Sequence, residues 1–165
     1  MRGRFRLGNV KTNAMRILDQ KNITYEIFQY ENRDGKIDGH SVALKIGQDS
    51  WLVYKTLVTI SMSSEIYVFV IPVDAELDLK KAAKVTSEKK IDMLPMIDIQ
   101  KWTGYIRGGC SPIGMKKQYR TYIDSSAKNQ QNIIVSAGKI GIQIKLNVGE
   151  LQSAVNGEFV EVTQS

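Results

Sequence analysis

The sequence contains few of the residues that form cross-links or bind metals: one cysteine, one histidine and three prolines among 165 residues. A single cysteine cannot form an intrachain disulfide, so stability has to come from a hydrophobic core, and a reducing compartment, the cytoplasm, is expected. No apolar run is long enough to span a membrane or resembles the core of a signal peptide. We therefore expect a cytoplasmic protein without a membrane partner.

The same scarcity argues against chemistry that depends on a metal or a cofactor. His40 and Cys110 are the only histidine and cysteine, and neither the HExxH nor the CxxC pattern occurs. A zinc site would have to be assembled from carboxylates. The nucleotide-binding pattern GxxxxGKS or GxxxxGKT is also missing. The sequence therefore predicts neither a metal nor a cofactor.

The composition is that of one globular domain, with 42% hydrophobic and 24% charged residues. The net charge is +6, from 23 Lys and Arg against 17 Asp and Glu, which favours contact with polyanions such as RNA. The first residues, MRGRFRLG, are basic. We predict a basic N-terminal arm over residues 1–11 and a single domain over residues 12–165.

Hydrophobic periodicity and capping residues predict short helices and strands along the whole chain. Helices are predicted from Thr12 or Asn13, over 41–47, over 74–85 with Asp74 as cap, at 95–102, and over 147–155 with Asn147 as cap. Strands are predicted over 24–30, 51–60, 65–72, 120–125, 132–138, 142–147 and 158–163, the second and third forming a hairpin. Together they describe a single α+β domain with a mixed sheet of about six or seven strands surrounded by short helices.

Lys55 is the most unusual side chain in the predicted strands. Alternation places Trp51, Val53 and Leu57 on its face of the strand and apolar residues on the other, so neither face is polar. Burying an unpaired ammonium is costly, so this side chain has to reach a carboxylate, a pocket or water. Two interpretations stay open: a lysine whose charge reaches solvent at the sheet edge, or a cation directed at an anionic or carbonyl-bearing ligand.

The segment GYIRGGCSPIGMKK, residues 104–117, concentrates residues that shape the backbone. The adjacent Gly108 and Gly109 allow a ligand to approach the main chain closely, and consecutive N–H groups can hold an anion. Pro112 stiffens the segment, and basic residues follow at positions 116, 117 and 120. The alternative is an ordinary tight turn. Cys110 is then either a nucleophile that lacks an adjacent base or a small packing residue.

Two further loops supply candidate binding residues. YENRDGKIDGHS contains Tyr30 and His40, and SAGKIG contains Ser136, Gly138 and Lys139. Turn formation and helix capping explain most of these residues without a ligand. Taken with the strand lysine and the glycine-rich segment, they predict a pocket walled by backbone N–H donors and without a protein nucleophile.

The pieces VYKTLV, PVDAELDLKKAAK, TGYIRGGCSPIGMKK and VSAGKIGIQI resemble, in this order, the YbaK/EbsC family of aminoacyl-tRNA deacylases. These proteins are relatives of the editing domain of bacterial prolyl-tRNA synthetases. The resemblance covers nearly the whole chain, and it implies a mixed sheet with surrounding helices and the removal of cysteine from mischarged Cys-tRNA(Pro). That tRNA would then be the substrate, prolyl-tRNA synthetase a further partner, and no cofactor would be needed.

The resemblance also assigns residues. Lys55 matches the family's pocket lysine, Tyr30 its tyrosine after the first strand, and the glycine-rich segment its GGxSPxG loop. Cys110 stands where members often have isoleucine or valine, so its thiol is not expected to be essential, and Gln143 stands where some members have an acid. The expected catalytic residues are Lys55, Gly108, Gly109, Cys110 and Ser111, and the expected substrate-binding residues are Tyr30, His40, Pro112, Gly114, Ser136, Gly138 and Lys139.

In the cysteine-removing members of this family, the thiol of the substrate attacks the aminoacyl ester and leaves as a cyclic thiolactone. The protein then supplies position and charge: N–H groups of residues 108–111 at the developing oxyanion, and Lys55 at the terminal ribose or phosphate. Three functions stay open at this level: such a deacylase, a non-catalytic module of the same fold that binds tRNA or a synthetase, and a thiol-based redox protein that uses Cys110. Alanyl and seryl esters are alternative substrates.

Overall fold

A computed structural model describes residues 11–165 as eight β-strands, five α-helices and three short 3₁₀ turns. The helices are α1 (Asn13–Gln20), α2 (Gly39–Lys45), α3 (Leu79–Thr86), α4 (Ile99–Thr103) and α5 (Val148–Val155). The strands are β1 (Tyr25–Gln29), β2 (Tyr54–Ser61), β3 (Ile66–Pro72), β4 (Ile91–Met93), β5 (Arg120–Asp124), β6 (Asn132–Lys139), β7 (Ile142–Asn147) and β8 (Glu158–Val160). The 3₁₀ turns span Ser50–Leu52, Met96–Asp98 and Ser125–Asn129. Apart from Lys11, the predicted basic arm lies outside the described residues.

The strands form two sheets that share one domain. Strands β1, β7 and β6 make a three-stranded antiparallel sheet, and β4, β2, β3, β5 and β8 make a five-stranded mixed sheet in that order. In the larger sheet, β3 pairs with β2 in antiparallel and with β5 in parallel direction. A single bridge between Val53 and Ile134 joins the two sheets. The α+β class and the mixed strand directions are confirmed, while the strands number eight and divide between two sheets.

Strand β3 is covered on both faces, which explains its uninterrupted apolar sequence, IYVFVI. Val70 lies in the hydrophobic cluster that the three-stranded sheet, α1 and α5 form. Its neighbours Phe69 and Ile71 point the opposite way, into a second cluster that includes Ala82 of α3. Residues of a strand buried on both sides do not alternate with polar ones, because neither face meets water.

The capping residues set where the helices begin. Thr12 caps α1 and Asn147 caps α5, as predicted, each by accepting a backbone N–H of the first turn. The prediction that Asp74 caps α3 is wrong, because Asp78 does so. The backbone N–H of Asp78 donates to Val162 at 2.7 Å and Leu77 pairs with a residue near the C-terminus. This extended pairing prevents the helix from starting earlier, and Asp74 is left to bind other side chains.

Candidate active site

A small pocket lies where the two sheets meet. The first half of β2 has β3 on one side and the Val53–Ile134 bridge to β6 on the other, and the pocket opens beside it with a volume of about 110 Å³. Its apolar walls come from Ile37, Val42, Val53, Tyr54 and Val73, its polar groups from Lys55, Thr56, Ser136 and Gln143, and the rest from Gly39, Gly108 and Cys110. A closed cavity of ~150 Å³ accepts benzene, so this pocket suits a ligand group of only a few heavy atoms.

Lys55 projects from β2 into this pocket and is held only loosely. Its side chain is 29% exposed, and Nζ lies 4.0 Å from Oε2 of Glu76, whose side chain is 77% exposed. An ion pair this long and this close to water contributes little to stability. The ammonium therefore lies at the pocket without an ion pair shorter than 4.0 Å among the described residues.

The polar groups of the pocket include two that lack a partner. Gln143, on the central strand β7 of the small sheet, is only 7% exposed, yet its side chain makes no hydrogen bond to another described residue. Oγ1 of Thr56 is likewise buried without a partner. The hydroxyl of Ser136 accepts from the N–H of Gly138 at 3.1 Å. Because buried polar groups are normally hydrogen-bonded, this pocket is built for a polar ligand.

Gln143 was not among the binding residues predicted from the sequence. The signal that could have found it is its position between two isoleucines, although Lys145 and Asn147 follow in the same strand. Ile142 and Ile144 flank Gln143, and both are buried. A single glutamine in such a run is a weak signal on its own, because many glutamines in strands face water.

The glycine-rich loop closes the pocket by packing against the turn between β6 and β7. Gly108 has a φ of +85°, and a Cβ there would come within 2.6 Å of a methyl group of Ile37. At Gly109, a Cβ would come within 2.8 Å of the backbone nitrogen of Ile140. Gly108 is therefore required by its left-handed backbone conformation, since the methyl group of Ile37 can move aside, whereas Gly109 is required by its close contact with the backbone of the β6–β7 turn.

The N–H donors of this loop are not equivalent. The N–H of Gly109 donates to the carbonyl of Ile106 at 3.0 Å, so it is already engaged. Those of Gly108 and Cys110, which both line the pocket, make no hydrogen bond to another described residue. Of the predicted row of donors, these two are the unpaired ones that belong to residues of the pocket wall.

The thiol of Cys110 is poorly suited to nucleophilic chemistry. It packs beside the cluster of Val58, Ile66 and Leu94, and this burial raises its pKa to about 11, against a smaller opposing effect of a hydrogen bond with Thr103. A thiol with so high a pKa is almost entirely protonated at neutral pH, and the thiolate is the reactive form. This argues against the redox interpretation.

Several predicted site residues support the loop from behind instead of lining the pocket. Ser111 is fully buried, and its hydroxyl accepts from the N–H of Ile113 at 3.2 Å. Pro112 is also buried. Gly114 and Gly138 both lie against the ring of Tyr105, whose hydroxyl donates to the carbonyl of Ile113 at 2.6 Å.

The remaining predicted residues lie at the margin. His40 follows the pocket residue Gly39 and its Nδ1 lies 3.3 Å from Oδ1 of Asp74. Tyr30 is buried, its hydroxyl has no partner, and Nζ of Lys45 lies 5.8 Å from its ring centre. Tyr30 and Lys139 line a separate depression, whose wall includes the β6–β7 turn.

Among residues 11–165, no helix has the length and apolar character that crossing a membrane requires. In the same residues, no three side chains of His, Cys, Asp or Glu are grouped so that they could hold a metal ion.

Comparison with known proteins decides the family. Residues 41–154 match the model of the aminoacyl-tRNA editing domain. The chain belongs to the aminoacyl-tRNA editing domain family. The matched range contains Lys55, the glycine-rich loop, Ser136 and Gln143, so it includes most of the pocket of this editing domain. The resemblance found in the sequence is thereby confirmed.

Individual relatives agree with this assignment. The editing domain is 46% identical, over 153 residues that make up 93% of each chain, to a protein of Enterococcus faecalis named as the Cys-tRNA(Pro)/Cys-tRNA(Cys) deacylase EbsC. A crystal structure described as a trans-editing enzyme for prolyl-tRNA synthetase matches with a TM-score of 0.82 and 16% identity, covering 95% of this chain and all of that one. The hypothetical protein APE2540 matches with a TM-score of 0.84 and 16% identity, covering 93% of this chain and 100% of that one. At such identities the two structures show the fold alone.

The packing of the glycine-rich loop gives a first prediction. Gly109→Ala places a methyl group against the backbone of Ile140, which cannot move without shifting the β6–β7 turn. We expect a loss of about 1–3 kcal/mol in the free energy of unfolding, the usual cost of overpacking, measured by urea denaturation. Gly149→Ala, on the exposed start of α5, is the control and should change stability by less than about 1 kcal/mol. Equal stability of both variants would contradict the close contact.

The raised pKa of Cys110 gives a second prediction. In the folded protein the pKa of about 11 leaves little thiolate at pH 8.5, whereas a free cysteine is about half ionised there. Alkylation by iodoacetamide at that pH should therefore be about 100-fold slower in the native protein than in the protein unfolded in urea. If the alkylation rate of the native protein, plotted against pH, has its midpoint near pH 8.5, the thiol is not desolvated.

Proposed function

We propose that this editing domain is a trans-editing deacylase that removes cysteine from mischarged Cys-tRNA(Pro). The observation that carries the proposal is a pocket of about 110 Å³ that presents an ammonium and unpaired N–H donors but no activated protein nucleophile. The name of the relative with 46% identity supports the substrate class. A site of this kind can position and polarise an ester, and the attacking group then has to come from the substrate or from water.

The proposed reaction is the one that the family resemblance implies, and the residues of the pocket are compatible with it. The thiol sulfur of the cysteinyl group attacks the ester carbonyl, a C–S bond forms, and the C–O bond to the terminal ribose breaks. The thiol proton ends on the ribose hydroxyl, and the amino acid leaves as a cyclic thiolactone. The N–H groups of Gly108 and Cys110 stabilise the oxyanion that develops on the carbonyl. Loss of one such donor typically costs about 3 kcal/mol of transition-state stabilisation.

Lys55 binds the nucleic-acid side of the substrate in this proposal. Its ammonium stands at the pocket, 4.0 Å from the exposed carboxylate of Glu76 and within electrostatic range of the carboxylate of Asp74. Neither contact is a close ion pair, so a ribose oxygen or phosphate can compete with them at little cost. At the tRNA end of the ester, the phosphate oxygens are negatively charged, and the ribose oxygen becomes negative as it leaves. A cation there both orients the ester and favours departure of the ribose oxygen.

Gln143 is proposed to recognise the aminoacyl group. The side-chain oxygen of its carboxamide can accept a hydrogen bond from the substrate's α-ammonium, and the pocket offers this group no protein partner in competition. Ser136 lines the same pocket. Together with Gln143 it accepts the polar atoms that a small amino acid brings into an otherwise apolar pocket.

The wider assignments depend on this substrate. We propose that residues 12–165 are the catalytic domain and residues 1–11 an appended basic arm, that the protein acts in the cytoplasm where tRNA is charged, and that prolyl-tRNA synthetase is a further partner.

The competing function is a tRNA-binding module without catalysis, which the net charge of +6 favours. Such a module would bind tRNA in a salt-sensitive manner but would release no amino acid.

The role of Lys55 is tested by its removal. Lys55→Ala should lower kcat/KM for release of cysteine from Cys-tRNA(Pro) by about 100-fold or more, the usual effect of losing one charged contact in the transition state. The assay mixes purified protein with tRNA that carries radiolabelled cysteine and measures the amino acid that is released. Lys84→Ala, on the exposed part of α3, should behave as wild type. A wild-type protein that binds the tRNA but releases nothing would favour the non-catalytic module.

The role of Gln143 predicts a different kinetic effect. Gln143→Leu removes a hydrogen bond to a charged group, so KM should rise about 10-fold to 100-fold while kcat is largely retained. Gln143→Glu keeps the acceptor and should restore most of the affinity. Gln131→Leu, in the exposed loop before β6, is the matched control. Unchanged KM in Gln143→Leu would show that the carboxamide does not contact the substrate.

A further inference from the structure

Trp51 is an aromatic side chain that the fold does not use. It is 55% exposed, and in residues 11–165 no other phenylalanine, tyrosine or tryptophan is exposed. Its ring has no aromatic or cationic neighbour within that range, and its indole N–H makes no hydrogen bond there. Trp102, by contrast, is partly buried against a hydrophobic cluster and lies 5.6 Å from Nζ of Lys101. The exposed ring of Trp51 therefore has no structural role to explain it.

Side-chain hydrogen bonds place the turn that carries Trp51 at the rim of the pocket. Its neighbour Ser50 donates to a carboxylate oxygen of Asp74 at 2.5 Å, and the other oxygen of that carboxylate lies 3.3 Å from Nδ1 of His40. His40 and Asp74 directly follow Gly39 and Val73, which both line the pocket. The carboxylate of Asp74 thus connects the turn that carries Trp51 to the pocket mouth, where the imidazole of His40 also lies.

The size of the pocket decides what has to lie at this rim. A volume of about 110 Å³ can accept the aminoacyl group but not a nucleoside as well. The nucleotides next to the ester must therefore lie outside, across the mouth. Unpaired bases at such a position bind proteins mainly by stacking on exposed aromatic faces, a contact that tolerates any base.

We propose that Trp51 is the stacking platform for an unpaired nucleotide at the 3′ end of the tRNA. The proposal rests on the proposed function, since it requires an RNA-linked ester in the pocket. Stacking on one aromatic ring changes affinity by about 10-fold to 100-fold. Because the ring touches no reacting atom, its contribution is to binding and positioning, and it should appear in KM and leave kcat nearly unchanged.

The direct test uses the fluorescence of Trp51 in a Trp102→Phe protein, where it is the only tryptophan. An uncharged RNA hairpin with a short unpaired 3′ tail should quench and shift the emission at saturation. The same hairpin with a blunt end should leave the emission unchanged. No response to the tailed hairpin, under conditions where it binds by another measure, would overturn the proposal.

Kinetics on Cys-tRNA(Pro) separate this proposal from the function on which it rests. Trp51→Ala should raise KM about 10-fold to 100-fold, Trp51→Phe should restore most of the loss, and Ile97→Ala, at another exposed apolar residue, should match wild type. If wild type turns over and Trp51→Ala has an unchanged KM, the stacking proposal fails alone. If Trp51→Leu has the same KM as Trp51→Phe, the contact with the tRNA is apolar and does not involve stacking, which also overturns the proposal. Absence of wild-type turnover rejects the deacylase, and the hairpin titration still tests Trp51.

Discussion

The site depends on the contact between the backbone of Gly109 and the backbone of the β6–β7 turn at Ile140. Lys55 belongs to the five-stranded sheet, whereas Ser136 and Gln143 belong to the three-stranded sheet. The glycine-rich loop packs against the small sheet and at the same time places Gly108 and Cys110 in the wall of the pocket beside β2. Without that approach, Lys55 and the loop would not line a common pocket. The contact is possible only between two main chains, because any side chain at Gly109 would separate them.

A pocket without a nucleophile follows from how the surrounding residues are used. Burial keeps the thiol of Cys110 protonated, and His40 stands at the margin beside Asp74. What the fold supplies is a set of fixed dipoles and one cation between apolar walls. Such groups act more strongly there than in water, because fewer solvent dipoles oppose them. They also need little rearrangement as charge develops on an ester, since the loop is held in place from behind by Tyr105 and Ser111.

How much of this was predictable from the sequence depends on the range of the interactions. Local signals located the caps at Thr12 and Asn147, the β2–β3 hairpin and the doubly buried β3. The three residues of β4 are too few to produce a pattern of alternation, and the division into two sheets depends on pairings between distant segments. Asp74 and Asp78 are equally good caps by composition. Only the pairing of residue 78 with the C-terminal segment decides between them.

The pocket was predictable in part for the same reason. Lys55 and the glycines are conspicuous within their own segments, but the placement of Gln143 beside them, and of Trp51 at the rim, arises from the fold.

This arrangement also bears on selectivity. Under the proposed reaction, a pocket of this size discriminates between small amino acids by only about 1–3 kcal/mol per methylene, and a stacked base contributes affinity for any tRNA end. Neither can reject alanine or serine in favour of cysteine. A reaction that requires the substrate's own thiol makes that distinction by chemistry, so the protein can bind small aminoacyl esters broadly and still release one of them.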